Sequence, residues 1–408
     1  MSQKPSAGVR PSHARVSRRL LRHRLVRAVL VLASLAGAGA SGADALRLDD
    51  GKWDLQGRRI ALATHDGRPV IEVHNGYAFR RDVALQDGTI ELDVQLTRRR
   101  SFVYLTFRMA DDREYEEIYL RAHKSGLPDA VQYAPVYQGN SAWQLYHGPG
   151  ATAAVEFQPG AWTRVRLVLS GRQAALYVGD LTKPALLIPR LARAPRAGYI
   201  ALRGFVPPGD DRPEPIARFA DVTVRSGVVD GIPPAPAPAA PPAPGVVRAW
   251  AVSRPFLPVP GAGDSLPGPD VLGTFTRVEG EASGLVELHR HVELPQAMSG
   301  SAAGPRPRPA VVARVNVRAV RDGLRALDLG FSDEATVFLD GRPLFRADQS
   351  YSFDAPRREG LVGYDQVRLW LPLRAGDNPL AVLVSDSFGG WAVMGRFADP
   401  AGLEVEAR

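Results

Sequence analysis

Cysteine is absent from this 408-residue chain. Its absence excludes a disulfide scaffold, thiolate-bound zinc, a cysteine nucleophile and lipid attachment through an N-terminal cysteine. Stability must then come from core burial. A domain of about 160–180 residues can supply it, because it hides roughly 70% of its unfolded surface. Also missing is any window that keeps a helical apolar period over three turns. No Gly-x-Ser-x-Gly elbow and no phosphate loop occur, which removes two common frames for acyl and phosphoryl chemistry.

An excess of positive charge is missing too, once its source is located. Lys and Arg total 51 against 43 Asp and Glu, a formal net charge of +8. Residues 1–45 hold eight of those bases and one acid, Asp44, so the rest of the chain carries 43 bases against 42 acids. A nearly neutral body gives no electrostatic case for nucleic acid or for an anionic lipid surface as partner.

The basic segment is organised. One lysine and seven arginines occupy residues 1–27 without an acid. An apolar core, Ala28 to Ala36, follows, and then small residues ending in Ala43-Asp44-Ala45. A basic region, a short apolar region and an A-x-A end predict a signal peptide over 1–45 and a periplasmic or extracellular destination. The apolar run is too short for the ~20 residues that span a bilayer, so no stable membrane insertion is expected after cleavage. Ser17-Arg18-Arg19-Leu20 also resembles a twin-arginine signal but lacks the usual phenylalanine, which leaves the export route open.

A Pro/Ala-rich stretch from Gly231 to Pro244 can neither pair in a sheet nor continue a helix, and reads as an extended linker over 229–245. It divides the chain into domains at 46–228 and 246–408. A second Pro/Gly-rich stretch, Met298 to Pro309, reads as a loop within the second domain. Short strand-like runs separated by turn residues fill both domains. In the first they are Thr89–Leu96, Phe102–Met109, Glu114–Ala122, Ala130–Val136, Ala151–Phe157, Thr163–Ser170, Ala174–Val178, Gly198–Arg203 and Ala217–Val224. In the second they are Val311–Val320, Ala335–Leu339, Val367–Leu373 and Ala381–Ser385, and Asp340-Gly341 marks a tight hairpin. The expected fold is all-β: two β-sandwich (jelly-roll) domains.

Alternation along a strand sorts side chains onto two faces. In Glu114–His123 the even positions Ile118, Leu120 and Ala122 are apolar. The odd ones are Tyr115, Glu117, Tyr119, Arg121 and His123. In Phe102–Met109 the odd set, Val103, Leu105, Phe107 and Met109, predicts core, and Tyr104, Thr106 and Arg108 face the other way. Tyrosines interleaved with arginine, histidine and glutamate suit a sugar: aromatic rings stack on its apolar face and planar charged groups bind its hydroxyls. Gln132 and Trp143, in the Tyr/Trp/Gln/Asn-rich stretch from Asp129 to Tyr146, extend this expectation. The candidate ligand-binding residues are Tyr104, Arg108, Tyr119, Arg121, His123, Gln132 and Trp143. The competing reading is a merely solvated sheet face.

Residues 46–228 resemble the concanavalin A/laminin-G-like sandwich family, in particular its 3-keto-disaccharide hydrolase-like branch. The resemblance is carried by Thr89–Val94, Phe107-Arg108, Tyr115–Arg121, Gln132-Tyr133 through Trp143-Gln144-Leu145, and Phe219–Val224. Phe331-Ser332-Asp333 through Gly341, with Gly376-Asp377-Asn378, resembles a galactose-binding-like jelly roll. The resemblance implies a carbohydrate or glycan ligand, but its fold hosts lectins, hydrolases and adhesion modules alike.

Catalysis stays open. A glycosidase needs two carboxyls across the scissile bond. In Glu91-Leu92-Asp93-Val94-Gln95-Leu96 a leucine stands where related sandwich glucanases place their last glutamate. Glu117 is the candidate catalytic acid or base, with no partner identified. Asp111-Asp112 and Asp210-Asp211 read as turns rather than calcium sites. His289 and His291 lack a third ligand. No metal and no cofactor are expected, and the sequence leaves the oligomeric state open.

Overall fold

The computed structural model describes residues 44–232, 241–259, 265–295, 298, 307–352 and 359–408. The expected signal peptide up to residue 43, most of the linker and the stretch 299–306 lie outside the described residues. Asp44 and Ala45, assigned by sequence to the end of the leader, pair with Val224 and Thr223. Among the described residues no helix is long and apolar enough to cross a membrane.

The first sandwich is built from β1 (Asp54–His65), β2 (Arg68–Leu85), β3 (Gly88–Leu96), β4 (Phe102–Asp111), β5 (Glu114–Leu120), β6 (Val131–Tyr137), β7 (Trp162–Ser170), β8 (Gln173–Val178), β9 (Gly198–Phe205) and β10 (Ala217–Ser226). One curled antiparallel sheet runs β8-β7-β3-β10-β2-β9-β4-β5-β6. The 18-residue β2 runs through both of its halves. Ile71–Val73 of that strand pair with β10, and Gly76–Leu85 pair with β9. Between the two halves lie Ile90, Leu92 and Val94 of β3, Val103, Leu105 and Phe107 of β4, Ile118 and Leu120 of β5, and Leu167 and Leu169 of β7. Where these strands are regular, every second residue points inward, as in any pleated chain.

The longest hairpin, β1–β2, was not read from the sequence. β1 is half-buried to exposed along its length and so has no apolar alternation. Its turn did carry a signal: Asp66 and Gly67 have φ of 51° and 72°, and Asp340-Gly341 turns the same way at 50° and 74°. The expected strand over Ala151–Phe157 shrinks to Thr152–Ala153.

The second sandwich has β11 (Ala249–Val252), β12 (Ala310–Ala319), β13 (Gly323–Ser332), β14 (Glu334–Leu339), β15 (Val367–Leu373), β16 (Gly376–Ser385) and β17 (Ala392–Phe397) as its main strands. β11-β12-β16-β14 form one sheet and β17-β13-β15 the other. Trp250, Phe331, Val337, Leu371, Val382, Trp391 and Phe397 fill the space between them.

The two sandwiches belong to one compact unit, Ser41–Arg408. Two glutamines of the first sandwich tie it to the second. Gln138 donates to the carbonyls of His289 and Val292, both at 2.7 Å, and accepts from the Leu294 N–H at 3.0 Å. Gln144 is fully buried. Its amide donates to the Glu359 carbonyl at 2.8 Å and accepts from the Ser332 hydroxyl at 3.1 Å. Its backbone N–H reaches Gly389 and its carbonyl takes the Val362 N–H. These bonds matter most at Gln144, because a polar group buried between two cores must be satisfied.

Candidate functional site

The site grows from one cross-strand row. Register places Tyr77 beside Arg203, Arg203 beside Tyr104, Tyr104 beside Tyr119 and Tyr119 beside Gln132. Residues directly opposite one another share a face, so these side chains stand together on the face of the β2-β9-β4-β5-β6 layer that points away from the core. The Arg203 guanidinium carbon lies 4.8 Å from the Tyr77 ring centre and 4.3 Å from that of Tyr104. The Tyr104 and Tyr119 rings are 4.5 Å apart. The Arg121 guanidinium, two residues further along the chain, lies 5.5 Å from the Tyr119 ring. A guanidinium group therefore stands at each ring of the tyrosine pair.

Above this row opens a cavity of about 730 Å³. Tyr104, Tyr119, Arg121, His123, Trp143 and Arg203 line it from the first sandwich, and Arg308, Tyr351, Glu359 and Phe388 from the second. Trp143 meets Tyr351 edge-on at 5.3 Å and Phe388 at 6.3 Å. Arg100 donates to the Tyr351 hydroxyl at 2.8 Å, and Lys124 pairs with Glu359 at 2.7 Å. The expectation of a face confined to the first domain is thus incomplete: the second sandwich supplies one wall.

Tyr104, Tyr119, Arg121, His123 and Trp143, expected as ligand-binding residues, are brought together at this cavity. Gln132 lies one layer back. It accepts from Arg121 Nη2 at 2.8 Å and donates to the carbonyls of Trp143 and Tyr146, both at 2.7 Å. It positions Arg121 and the Trp143 segment instead of lining the cavity. His123 Nδ1 accepts from the Ser101 N–H at 3.4 Å. Burial, and then the charges of Arg121, Lys124 and Arg100, hold this imidazole down to about 4, so it is neutral at ordinary pH. With Nδ1 accepting, the ring proton is on Nε2.

Arg108 corrects the alternation argument. Its φ is +51° and the β4–β5 register shifts between Phe107 and Asp111. That bulge exchanges the faces. Met109 joins Phe79 and Tyr115 on the outer side. Arg108 turns inward, is buried, and donates to the carbonyls of Gln86 (2.7 Å) and Gly171 (2.8 Å). It is a structural clamp away from the cavity.

Glu117, the candidate acid or base, is fully buried. Thr106 and Ala134 flank it across the strands, and Arg203 Nη1 approaches at 3.4 Å. Burial raises its pKa, while Arg203, Ser141 and Tyr119 pull it partly back. A catalytic acid has to reach its substrate, and this carboxyl lies beneath the tyrosines as the counter-charge of Arg203. Among the described residues two carboxylates line the cavity, Asp112 and Glu359, and each is held by a cation: Arg81 at 2.9 Å and Lys124 at 2.7 Å.

Glu91 and Asp93 stand on the outer face of the opposite layer. Arg164, Arg166 and Arg225 bind Glu91 at 2.8–2.9 Å, and Arg68 binds Asp93 at 2.6 Å. Asp210 is likewise bound by Arg99 and Arg212. His289 lies buried between Glu287 and Asp386. Among the described residues no group of three His, Cys, Asp or Glu side chains is arranged to hold a metal ion.

No family model matches the sequence, and no curated protein matches it either. Solved structures do resemble parts of the chain. The carbohydrate binding module CBM66 from Bacillus subtilis matches 43% of this chain and 96% of its own, at 14% identity and a TM-score of 0.32. The Bacillus licheniformis beta-glucanase matches 44% and 94%, at 11% identity and a TM-score of 0.31. The Bacteroides ovatus mixed linkage glucan GH16 protein, in complex with its G4G4G3G product, matches 45% and 98%, at 11% identity and a TM-score of 0.33. Likeness at this level carries no argument about the ligand, which has to come from the cavity itself.

Tyr77, Arg203, Phe102 and Phe205 were missed by the sequence reading. The signal was present in β9, where Ile200 and Leu202 enter the core and Tyr199, Ala201, Arg203 and Phe205 alternate with them. Tyr351, Glu359 and Phe388 sit outside the named strands and had no comparable signal.

Proposed function

We propose that this protein binds a glycan in the cavity between its two sandwiches. One observation carries the reading: a guanidinium group stands at each ring of the tilted Tyr104–Tyr119 pair, with Trp143 at the same cavity. Aromatic rings take the C–H face of a pyranose, and guanidinium forks bind hydroxyl or acidic oxygens at its edge. A volume of about 730 Å³ suits a ligand of one to a few sugar rings, since small-molecule sites run about 300–1,000 Å³. The basic and apolar segments before residue 45 support a place of action outside the cytoplasm, and the division at 46–228 and 246–408 is part of the same proposal. Binding is favoured over hydrolysis because Glu117 is sealed and both lining carboxylates are ion-paired.

The test is a glycan array with the purified protein, followed by Trp143→Ala. Selective glycan binding that drops at least ~10-fold in the folded variant supports the reading, as loss of one aromatic stacking contact should cost about that much. An empty array alongside robust capture by a protein partner replaces it with an adhesion role. Release of reducing ends from any bound glycan converts it to a hydrolase.

A further inference from the structure

The cavity is cationic, and its charge is unevenly compensated. Among the described residues five cationic side chains line it, against the two carboxylates Asp112 and Glu359. Asp112 is engaged by Arg81, which is outside the lining, and Glu359 by Lys124. Arg308 pairs with Glu334 and Asp348 of its own sandwich. Arg121 and Arg203, one at each ring of the tyrosine pair, hold their counter-charges at longer range, Asp129 at 3.3 Å and Glu117 at 3.4 Å. Among the described residues Arg203 makes one long hydrogen bond, 3.4 Å to Glu117, beside its ring contacts with Tyr77 and Tyr104. Arg121 is buried, donates Nη2 to Gln132 at 2.8 Å, and shares Asp129 with Lys124.

A guanidinium whose counter-charge stands at 3.3–3.4 Å gains from a closer oxyanion entering the cavity. The same surroundings keep His123 neutral, because Arg121, Lys124 and Arg100 oppose a further positive charge there. Neutral sugars would leave the Arg121 and Arg203 charges as they are. A carboxylate entering over the buried tyrosine pair would lie near both guanidinium groups, with the ring of the same sugar beside Trp143.

We propose that the glycan bound here is acidic, and that Arg203 and Arg121 receive a sugar carboxylate over the Tyr104–Tyr119 pair. The inference rests on the glycan reading and narrows it to uronic-acid-containing chains.

Calorimetric titration of the full protein with oligogalacturonate, with the same oligosaccharide after carboxyl reduction, with a sulfated galactan oligosaccharide and with a neutral β-glucan oligosaccharide tests it. The expected result is binding of the uronate, loss of ~10- to 100-fold on carboxyl reduction as a charge-assisted contact is removed, and weakening with added salt. Arg203→Gln should reproduce that loss and Arg203→Lys should recover part of it. Should Arg203→Gln fail to fold, the carboxyl-reduced ligand still decides the matter in the unmodified protein. Equal or tighter binding of the reduced or neutral chain overturns the inference and leaves the glycan reading intact. Preference for the sulfated chain overturns the carboxylate assignment. Failure of all four to bind, together with an empty array, overturns the glycan reading itself.

Discussion

Gln144→Ala should loosen the two sandwiches and the cavity together. The side chain sits between Gly360 and Gly389, where a Cβ would fall 2.4 Å and 2.5 Å from its amide atoms. Truncation leaves the Glu359 carbonyl and the Ser332 hydroxyl without their partner in a buried position. Each orphaned group costs about 1–3 kcal/mol, and the void adds to that, so a loss of about 3–5 kcal/mol in unfolding free energy is expected. Urea unfolding followed by tryptophan fluorescence measures it, with the slope m reporting whether the two sandwiches still unfold together. Gln144→Met discriminates the cause. Methionine restores most of the volume but accepts and donates almost nothing, so it should remain at least about 2 kcal/mol below the parent protein. A methionine variant as stable as the parent would refute the hydrogen-bonding account and leave packing as the whole explanation.

Other outcomes follow from the same geometry. Gly389→Ala should lower stability by about 2–4 kcal/mol, because φ is +97° and the new Cβ would meet Gln144 Oε1 at 2.5 Å and Trp143 Nε1 at 2.7 Å; a thermal melt reports it. Glu91→Ala should destabilise by about 2–3 kcal/mol by stranding three arginines, while glycan binding by titration stays unchanged, since Glu91 faces away from the cavity. Burial opposes charge on His289, but Asp386 and Glu287 outweigh it and bring its pKa up to about 10. The folded value exceeds the unfolded ~6.5, so its contribution is complete below about pH 6.5 and is lost as pH rises through 10. Unfolding free energy should fall over that window, and His289→Gln should flatten that part of the profile. Burial and the nearby Asp386 raise Asp333 to about 7. Its contribution is present below the unfolded ~3.9 and lost as pH rises through 7, a slope that Asp333→Asn should remove.

Alternation made the core legible wherever the pleat is regular. Along β5 the even residues Ile118, Leu120 and the odd residues Tyr119, Arg121 separate as the sequence predicts. Glu116, of the inward parity, is buried as well and accepts from the Tyr133 hydroxyl at 2.6 Å, a pairing that only the folded neighbours reveal. In β4 the same reading fails after Phe107, since one positive φ at Arg108 shifts every later residue to the other face. A bulge of this kind leaves no mark in hydropathy: an arginine between Phe107 and Met109 fits either parity. The second wall was invisible for a different reason. Tyr351, Glu359 and Phe388 reach the cavity only through the docking of one sandwich on another, which no local periodicity encodes.

The paired amides of Gln138 and Gln144 have a consequence for the ancestry of such chains. A sandwich that serves as an interchangeable cassette must present a self-sufficient surface, so that it can be copied beside new neighbours. Here neither half could be transplanted alone without leaving unanswered carbonyls at the cut and half a cavity behind. The two halves are therefore constrained to drift in concert. A change of ligand preference in one lineage should leave its trace on both sides of the seam.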